Sequence, residues 1–162
     1  MLALNELEAI VFDFDGVLTD NRVFINQDGQ EMVCCHRADG LAFDFLRRTN
    51  LKLFILSTET NSVVTSRGNK LKVPVFQGVK DKQKALKDIS KKQGFSLLKT
   101  LFIGNDLNDY LAMKTCGFST CPSDSHPKIL EIVTFSLKTP GGQGIVRELV
   151  DIFKITETDL MC

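Results

Sequence analysis

Near the start of the chain, Asp13 and Asp15 stand two residues apart in Phe12-Asp13-Phe14-Asp15-Gly16-Val17, directly after an apolar run. Two carboxylates there are costly to bury without partners. In a continued strand they would share one face and repel. A divalent cation removes that repulsion, and Mg²⁺ takes oxygen ligands of this kind. One carboxylate can then attack phosphorus as a nucleophile. The other can protonate the leaving group and later activate water. The same residues also suit a solvated turn, with an aspartate capping a helix and a glycine at positive φ.

Three further groups follow in order. Ser57, with Thr58 beside it, comes straight after the apolar run 51–56 and could hydrogen-bond a phosphate oxygen. Its alternative is to N-cap the next helix. Lys82 falls in the first turn of a helical segment, where the helix dipole disfavours a cation. Holding phosphate would account for it, and so would plain solvation among Lys80 and Lys84. Gly104-Asn105-Asp106-Leu107-Asn108-Asp109 supplies acidic and amide oxygens where a metal would sit, or else caps a loop–helix junction.

The elements that must position these residues alternate along the chain. Strands are expected at 8–13, 51–56, 73–77, 99–103, 118–121 and 133–137. Helices are expected at 39–49, 60–71, 81–93, 107–116, 125–131 and 143–154. Gly94 and Gly117 stop two of the helices. Segments 22–26 and 31–35 flank Gln27-Asp28-Gly29 and read as a β-hairpin. Strands alternating with helices predict an α/β, Rossmann-like three-layer sandwich. Its sheet is mostly parallel, with the hairpin inserted after the first strand and no separate cap domain. Ligands in such folds bind outside the carboxyl ends of the strands, where all four groups above lie.

The 162 residues suit one domain spanning 1–162. Twenty basic residues balance twenty acidic ones, with 43% hydrophobic and 25% charged content. No overall field recruits nucleic acid or an anionic membrane. No apolar run approaches the roughly 18 residues of a membrane span. The N-terminus lacks the basic and apolar regions of a signal peptide, so cytoplasmic location is expected. Five cysteines (Cys34, Cys35, Cys116, Cys121, Cys162) include no CxxC pair. A zinc site on Cys116 and Cys121 with His36 or His126 lacks paired-knuckle spacing, and reduced, mostly buried thiols fit better.

Taken together, DFDGV (13–17), Ser57, Lys82 and GNDLND (104–109) resemble the four motifs of haloacid-dehalogenase-type phosphohydrolases. DGVLTDN (15–21), the hairpin, Asp39-Gly40, Phe76-Gln77-Gly78 and GGQGIVRE (141–148) extend the likeness over residues 8–154. It reaches the capless phosphatases of 3-deoxy-D-manno-octulosonate (KDO) 8-phosphate and of 2-keto-3-deoxynononate 9-phosphate. It also reaches the C-terminal domain of animal CMP-sialic acid synthetases. The resemblance implies Asp13 as nucleophile and Asp15 as acid–base. Mg²⁺ would be held by Asp13, the Asp15 carbonyl and the fourth motif, from which Asn105 and Asp106 are the candidates. Ser57, Thr58 and Lys82 would hold the phosphoryl group.

The resemblance further implies a small sugar acid phosphate as substrate, bound for a surface sugar. It also implies a homotetramer in which one subunit's hairpin and a neighbour's C-terminal segment close the site. One departure stands out: Asn105 replaces the aspartate these phosphatases carry, as it does in the synthetase domain, so a weakly active or purely oligomerising module is the alternative. Glu59 stands where the eight-carbon enzymes have arginine and the nine-carbon enzyme has glutamate, which favours a nine-carbon substrate. Glu59 is otherwise a first-turn helix residue. Asp39 orders the loop over the site or caps its own helix. Arg147 pairs with a substrate carboxylate or lies on a solvated helix face. The glycines at 141–144 wrap a substrate or turn the chain into the last helix. His36 and His126 are expected in loops or at the surface.

Overall fold

The runs 9–12 and 52–56 are almost wholly apolar, and strands of that kind have to be covered on both faces. A computed structural model, which describes residues 2–154, arranges them accordingly. The strands are β1 (Ala9–Phe12), β2 (Thr19–Ile25), β3 (Glu31–Cys35), β4 (Lys52–Leu56), β5 (Val75–Phe76), β6 (Thr100–Ile103), β7 (Phe118–Cys121) and β8 (Phe135–Ser136). The helices are α1 (Arg37–Leu46), α2 (Val63–Leu71), α3 (Lys82–Gln93), α4 (Tyr110–Thr115), α5 (Pro127–Leu130) and α6 (Ile145–Ile152). Six strands form one parallel sheet in the order β5-β4-β1-β6-β7-β8.

Strand periodicity sorts the core into two layers. Ile10, Phe12, Leu53, Ile55, Leu101 and Ile103 point toward one face, where α1, α2 and α6 bring Phe43, Leu46, Val64, Val146 and Leu149. Ala9, Val11, Phe54, Leu56 and Phe102 point to the other, under Leu86 and Ile89 of α3, Met113 of α4 and Ile129 of α5. Helices on both faces of a parallel sheet make the three-layer α/β sandwich expected from the sequence.

Strand order and register set the place of chemistry. β1 lies between β4 and β6, and Phe12 is level with both Ile55 and Ile103. Asp13, Ser57 and Asn105 therefore emerge side by side where the strand order reverses, which is where such sheets bind ligands.

The hairpin β2–β3 is antiparallel and stands apart from the main sheet. At its tip Gly29 takes φ +75°, and Asn26 Oδ1 accepts from the Asp28 and Gln30 N–H groups. Val23, Phe24, Ile25 and Met32 expose half or more of their surface.

The helices start one to three residues from where periodicity puts them, and two of these shifts have a local cause. α1 begins at Arg37, because His36 Nδ1 accepts from the Ala38 N–H and caps it. Asp39 therefore does not cap its own helix. α2 begins only at Val63, because Glu59 Oε1 takes the Thr60 (2.6 Å) and Asn61 (2.8 Å) N–H groups into a turn.

Candidate active site

Asp13 ends β1, and its backbone N–H still bonds the Ile103 carbonyl, so the sheet itself fixes its position. The residue is 3% exposed. Its Oδ1 accepts from the Phe14 N–H at 2.7 Å and from Lys82 Nζ at 2.6 Å. Lys82 is the first residue of α3. Asp81 caps that helix through the Lys84 N–H (2.9 Å) and so points the neighbouring lysine back over the sheet.

The same Nζ also lies 2.6 Å from Asp109 Oδ1. Asp109 is fully buried, and its Oδ2 accepts from the Asn105 N–H (2.9 Å) and the Asp106 N–H (3.4 Å). One carboxylate thus orients the lysine and shapes the 104–109 loop. The sequence pointed to Asp109 only as a nearby acid. Its one local signal is Gly104, where a Cβ would fall 2.6 Å from the Asp109 carboxyl carbon.

Two buried carboxylates share one ammonium. Burial, then the Asp109 charge, pushes Asp13 well above the ordinary carboxylate range, with Lys82 pulling the other way. Burial alone would lower Lys82, but the charges of Asp13 and Asp109 outweigh it, so Lys82 stays cationic. Such an arrangement contributes little net stability. It does place a fixed positive charge beside a nucleophile.

Asp15 is half-buried. Burial, then the Glu59 charge, raises its pKa, Glu31 adds to the rise, and Lys82 and the Thr19 hydroxyl oppose it. A carboxyl that keeps its proton to higher pH is suited to act as a general acid. Ser57 is 1% exposed, and its Oγ accepts from the Glu59 N–H at 3.1 Å, leaving its own hydrogen free to donate. It does not cap α2.

Asp13 and Asp15 open into a polar cleft of about 350 Å³, which Asn21, Thr58, Asn105, Asp106 and Asn108 complete. Asn21 holds φ +63°, a left-handed conformation that asparagine tolerates better than most residues. Nothing in the sequence marked it for the site.

The side-chain amide of Asn105 lies 3.3 Å from Asp13 Oδ2 and 3.0 Å from the Asp15 carbonyl oxygen. With its Oδ1 toward them, that oxygen stands near both others at close to the spacing of an octahedral edge, about 3.0 Å for Mg²⁺–O bonds near 2.1 Å. With its Nδ2 toward them, the amide donates to both. The donor set therefore fits a hard dication, through one carboxylate and two neutral oxygens. Asp106 is exposed on the cleft wall, and its Oδ1 accepts from the Leu107 N–H.

Other expected residues lie elsewhere. Asp39 is buried, and its Oδ1 accepts from the Val146 (3.0 Å) and Arg147 (3.4 Å) N–H groups, so it caps α6 rather than lining the cleft. Arg147 stacks over Phe45 and pairs with Asp151 at 3.5 Å. It faces a separate groove of about 660 Å³, shared with His36 and Gln143, that excludes Asp13. Glu59 sits close enough to Asp15 to act on its charge, with Oε1 occupied by the 60–61 turn.

His126 caps α5. Cys34, Cys35, Cys116 and Cys121 are free thiols, and burial pushes Cys116 up to about 12, so it stays a thiol. Among the described residues no three of His, Cys, Asp and Glu converge on a common point, so no zinc cluster forms on Cys116 and Cys121. Cys162 lies outside the described residues. No helix among the described residues is long and apolar enough to cross a membrane.

Comparison with known proteins bears on the family and the fold. The family model of haloacid dehalogenase-like hydrolases matches residues 50–149. The solved structure of a protein from Streptomyces avermitilis, described as a HAD family hydrolase, is similar at 38% identity and TM-score 0.91. The match covers 93% of this chain and 87% of that one. The 3-deoxy-D-manno-octulosonate 8-phosphate phosphatase of Moraxella catarrhalis, solved with magnesium ion, phosphate ion and KDO, is 27% identical. Its TM-score is 0.89, covering 95% of this chain and 90% of that one. The enzyme of the same description from Haemophilus influenzae is 29% identical over 92% of this chain and 83% of its own.

Proposed function

The chain belongs to the haloacid dehalogenase-like hydrolases, and from that premise we propose that it removes the terminal phosphate of a 2-keto-3-deoxy sugar acid in a Mg²⁺-dependent reaction. The observation that carries this reading is the meeting of Asp13, Lys82 and Asp109, with the oxygens of Asp15 and Asn105, at the reversal point of the sheet. A purely oligomerising module does not require a buried lysine held between two carboxylates, so this cluster favours the enzyme over the module that Asn105 suggests.

In this mechanism a carboxylate oxygen of Asp13 attacks phosphorus, forming an aspartyl-phosphate and breaking the bond to the sugar oxygen. Asp15 gives its proton to that departing oxygen. Asp15, now a carboxylate, takes a proton from water. The water oxygen attacks phosphorus, inorganic phosphate leaves, and Asp13 is regenerated. Ser57 and Lys82 orient the phosphoryl oxygens, with Thr58 at the cleft edge. Asp13, the Asp15 carbonyl and Asn105 would hold Mg²⁺, which when bound would supply neutralisation of the phosphoryl charge. Asp106, exposed on the cleft wall, is the further acidic candidate for that ion.

The relatives named above favour the eight-carbon KDO 8-phosphate as substrate. A second reading, a nine-carbon 9-phosphate, rests on Glu59. Its Oε1 is engaged in the 60–61 turn, but Oε2 is left to accept hydrogen bonds from sugar hydroxyls. A homotetramer is supported by the exposed apolar hairpin, since a lone two-stranded hairpin is marginal in water.

The deciding assay measures Mg²⁺-dependent phosphate release from the eight-carbon and nine-carbon sugar acid phosphates and from hexose phosphates. It compares wild type with Asp13→Asn and Glu59→Arg. Substantial release by Asp13→Asn would sink the aspartyl-phosphate mechanism. Wild-type preference for KDO 8-phosphate, unaltered in Glu59→Arg, would remove the nine-carbon reading.

A further inference from the structure

The glycines of Gly141-Gly142-Gln143-Gly144 neither wrap the cleft nor serve only to turn the chain. They cross the loop that carries Asp15. A Cβ on Gly141 would fall 2.1 Å from the Gly16 carbonyl oxygen and 2.7 Å from its carbon. A Cβ on Gly142, at φ +66°, would fall 2.2 Å from the Asp20 nitrogen and 2.3 Å from the Thr19 carbonyl carbon. These are backbone atoms, which cannot rotate away as a side chain can. The Gly142 N–H also donates to the Val17 carbonyl at 2.9 Å.

On another side of Gly16 stands Asn105, whose Nδ2 would be 2.0 Å from a Cβ placed there. The Asp15–Gly16 segment is therefore gripped between the glycine strap and the Asn105 amide. The strap is itself tied at both ends. Asp124 Oδ1 accepts from the Gly141 N–H at 2.9 Å, and Asp39 caps the helix the strap leads into.

We propose that Pro140–Gly144 is a positioning strap for the reaction, in which Gly141 presses on the Gly16 peptide, and Gly142 on the Thr19–Asp20 backbone beyond it, to hold the Asp15–Gly16 backbone in register with Asn105. The strap touches no substrate and no reacting atom. It acts through the Asp15 carbonyl oxygen, and metal–ligand distances tolerate displacements of only about 0.2 Å. A methyl group at Gly141 has to drive the strap and the Gly16 peptide apart by more than that. The inference rests on the phosphatase reading of the Asp13–Asp15 loop.

The test is calorimetric titration of the full chain with Mg²⁺, which needs no substrate, together with kcat and KM on para-nitrophenyl phosphate. Gly141→Ala and Gly142→Ala should raise the Mg²⁺ Kd about tenfold or more, as loss of outer-shell support does elsewhere. They should lower kcat while leaving KM little changed. Gly94→Ala is the control, because Gly94 also has positive φ (+67°) but nothing within 4 Å of its Cβ position. It should lower stability and leave Mg²⁺ binding alone.

Asp124→Ala adds no bulk and only unties one end of the strap, so it decides the matter if the glycine variants fail to fold. Its Mg²⁺ Kd should also rise. Wild-type Mg²⁺ affinity and kcat in the folded variants, even with a lowered Tm, would reduce the strap to a structural feature and overturn the proposal. Absence of Mg²⁺ binding by the wild-type chain would overturn the phosphatase reading, and this inference with it.

Discussion

Lys82→Met replaces the cation between Asp13 and Asp109 with an apolar chain of similar length. Both Oδ1 atoms lie 2.6 Å from Nζ, and Asp13 and Asp109 are 3% and 0% exposed. The substitution leaves two buried carboxylates facing each other with neither solvent nor counter-charge. Removing one partner from such a set costs about 3–5 kcal/mol. For a chain of this size 1 kcal/mol is about 2–4 °C, so Tm should fall on the order of 10 °C.

The loss has a definite pH dependence. Asp13 already has a raised pKa in the folded protein, and losing Lys82 raises it further. A carboxyl whose folded pKa lies above its unfolded value adds stability below the unfolded pKa, and that stability is lost as pH rises through the folded pKa. The deficit of Lys82→Met relative to wild type should therefore be larger at about pH 8 than at about pH 5.5. Adding Asp109→Asn should recover much of it. Activity should drop by about 10²–10³ in kcat, since a preorganised charge at the phosphoryl group is lost.

Thermal unfolding followed by circular dichroism, with chelator at both pH values, compares wild type with the two variants. A Tm equal to wild type, or a deficit that grows toward acid, would refute the picture of two carboxylates held together by one ammonium.

Asp15 is expected to set the alkaline limb of the kcat/KM profile, and Glu59→Gln should move that limb to lower pH by less than about one unit. The reason is that the Glu59 charge helps to raise Asp15; a limb that stays put would detach Glu59 from the acid. Asn105→Asp adds a charge to the three-oxygen set and should lower the Mg²⁺ needed for half-maximal activity more than tenfold, or about 1.4 kcal/mol. An unchanged requirement would mean that Asn105 is not a ligand. Light scattering at micromolar concentration should give four times the 18.1 kDa chain mass, and a monomer would contradict the closing role given to the hairpin.

Much of this protein was legible in its sequence because the information is local. The short apolar runs at 9–12 and 52–56 force strands covered on both faces, and residue spacing within α1 and α3 forces helices. Those two periods yield the alternating α/β order, and with it the rule that places Asp13, Ser57, Lys82 and the 104–109 loop at strand ends. Residue chemistry left caps, turns or plain solvation as alternatives for these groups, and their joint resemblance to the haloacid dehalogenase-type motifs narrowed them to phosphoryl transfer.

What only the tertiary structure decided are the partnerships between distant segments. Lys82 and Asp109 are 27 residues apart and meet because the start of α3 and the loop after β6 lie over the same carboxyl end of the sheet. Asp39 lies 107 residues from Val146, yet it caps α6 instead of its own helix, because α1 and α6 pack on the same face. The glycines at 141 and 142 serve a backbone that begins at Gly16. Arg147 faces a different groove from the nucleophile. Burial, close approach and counter-charge depend on which elements pack together, and no spacing within a single segment encodes that.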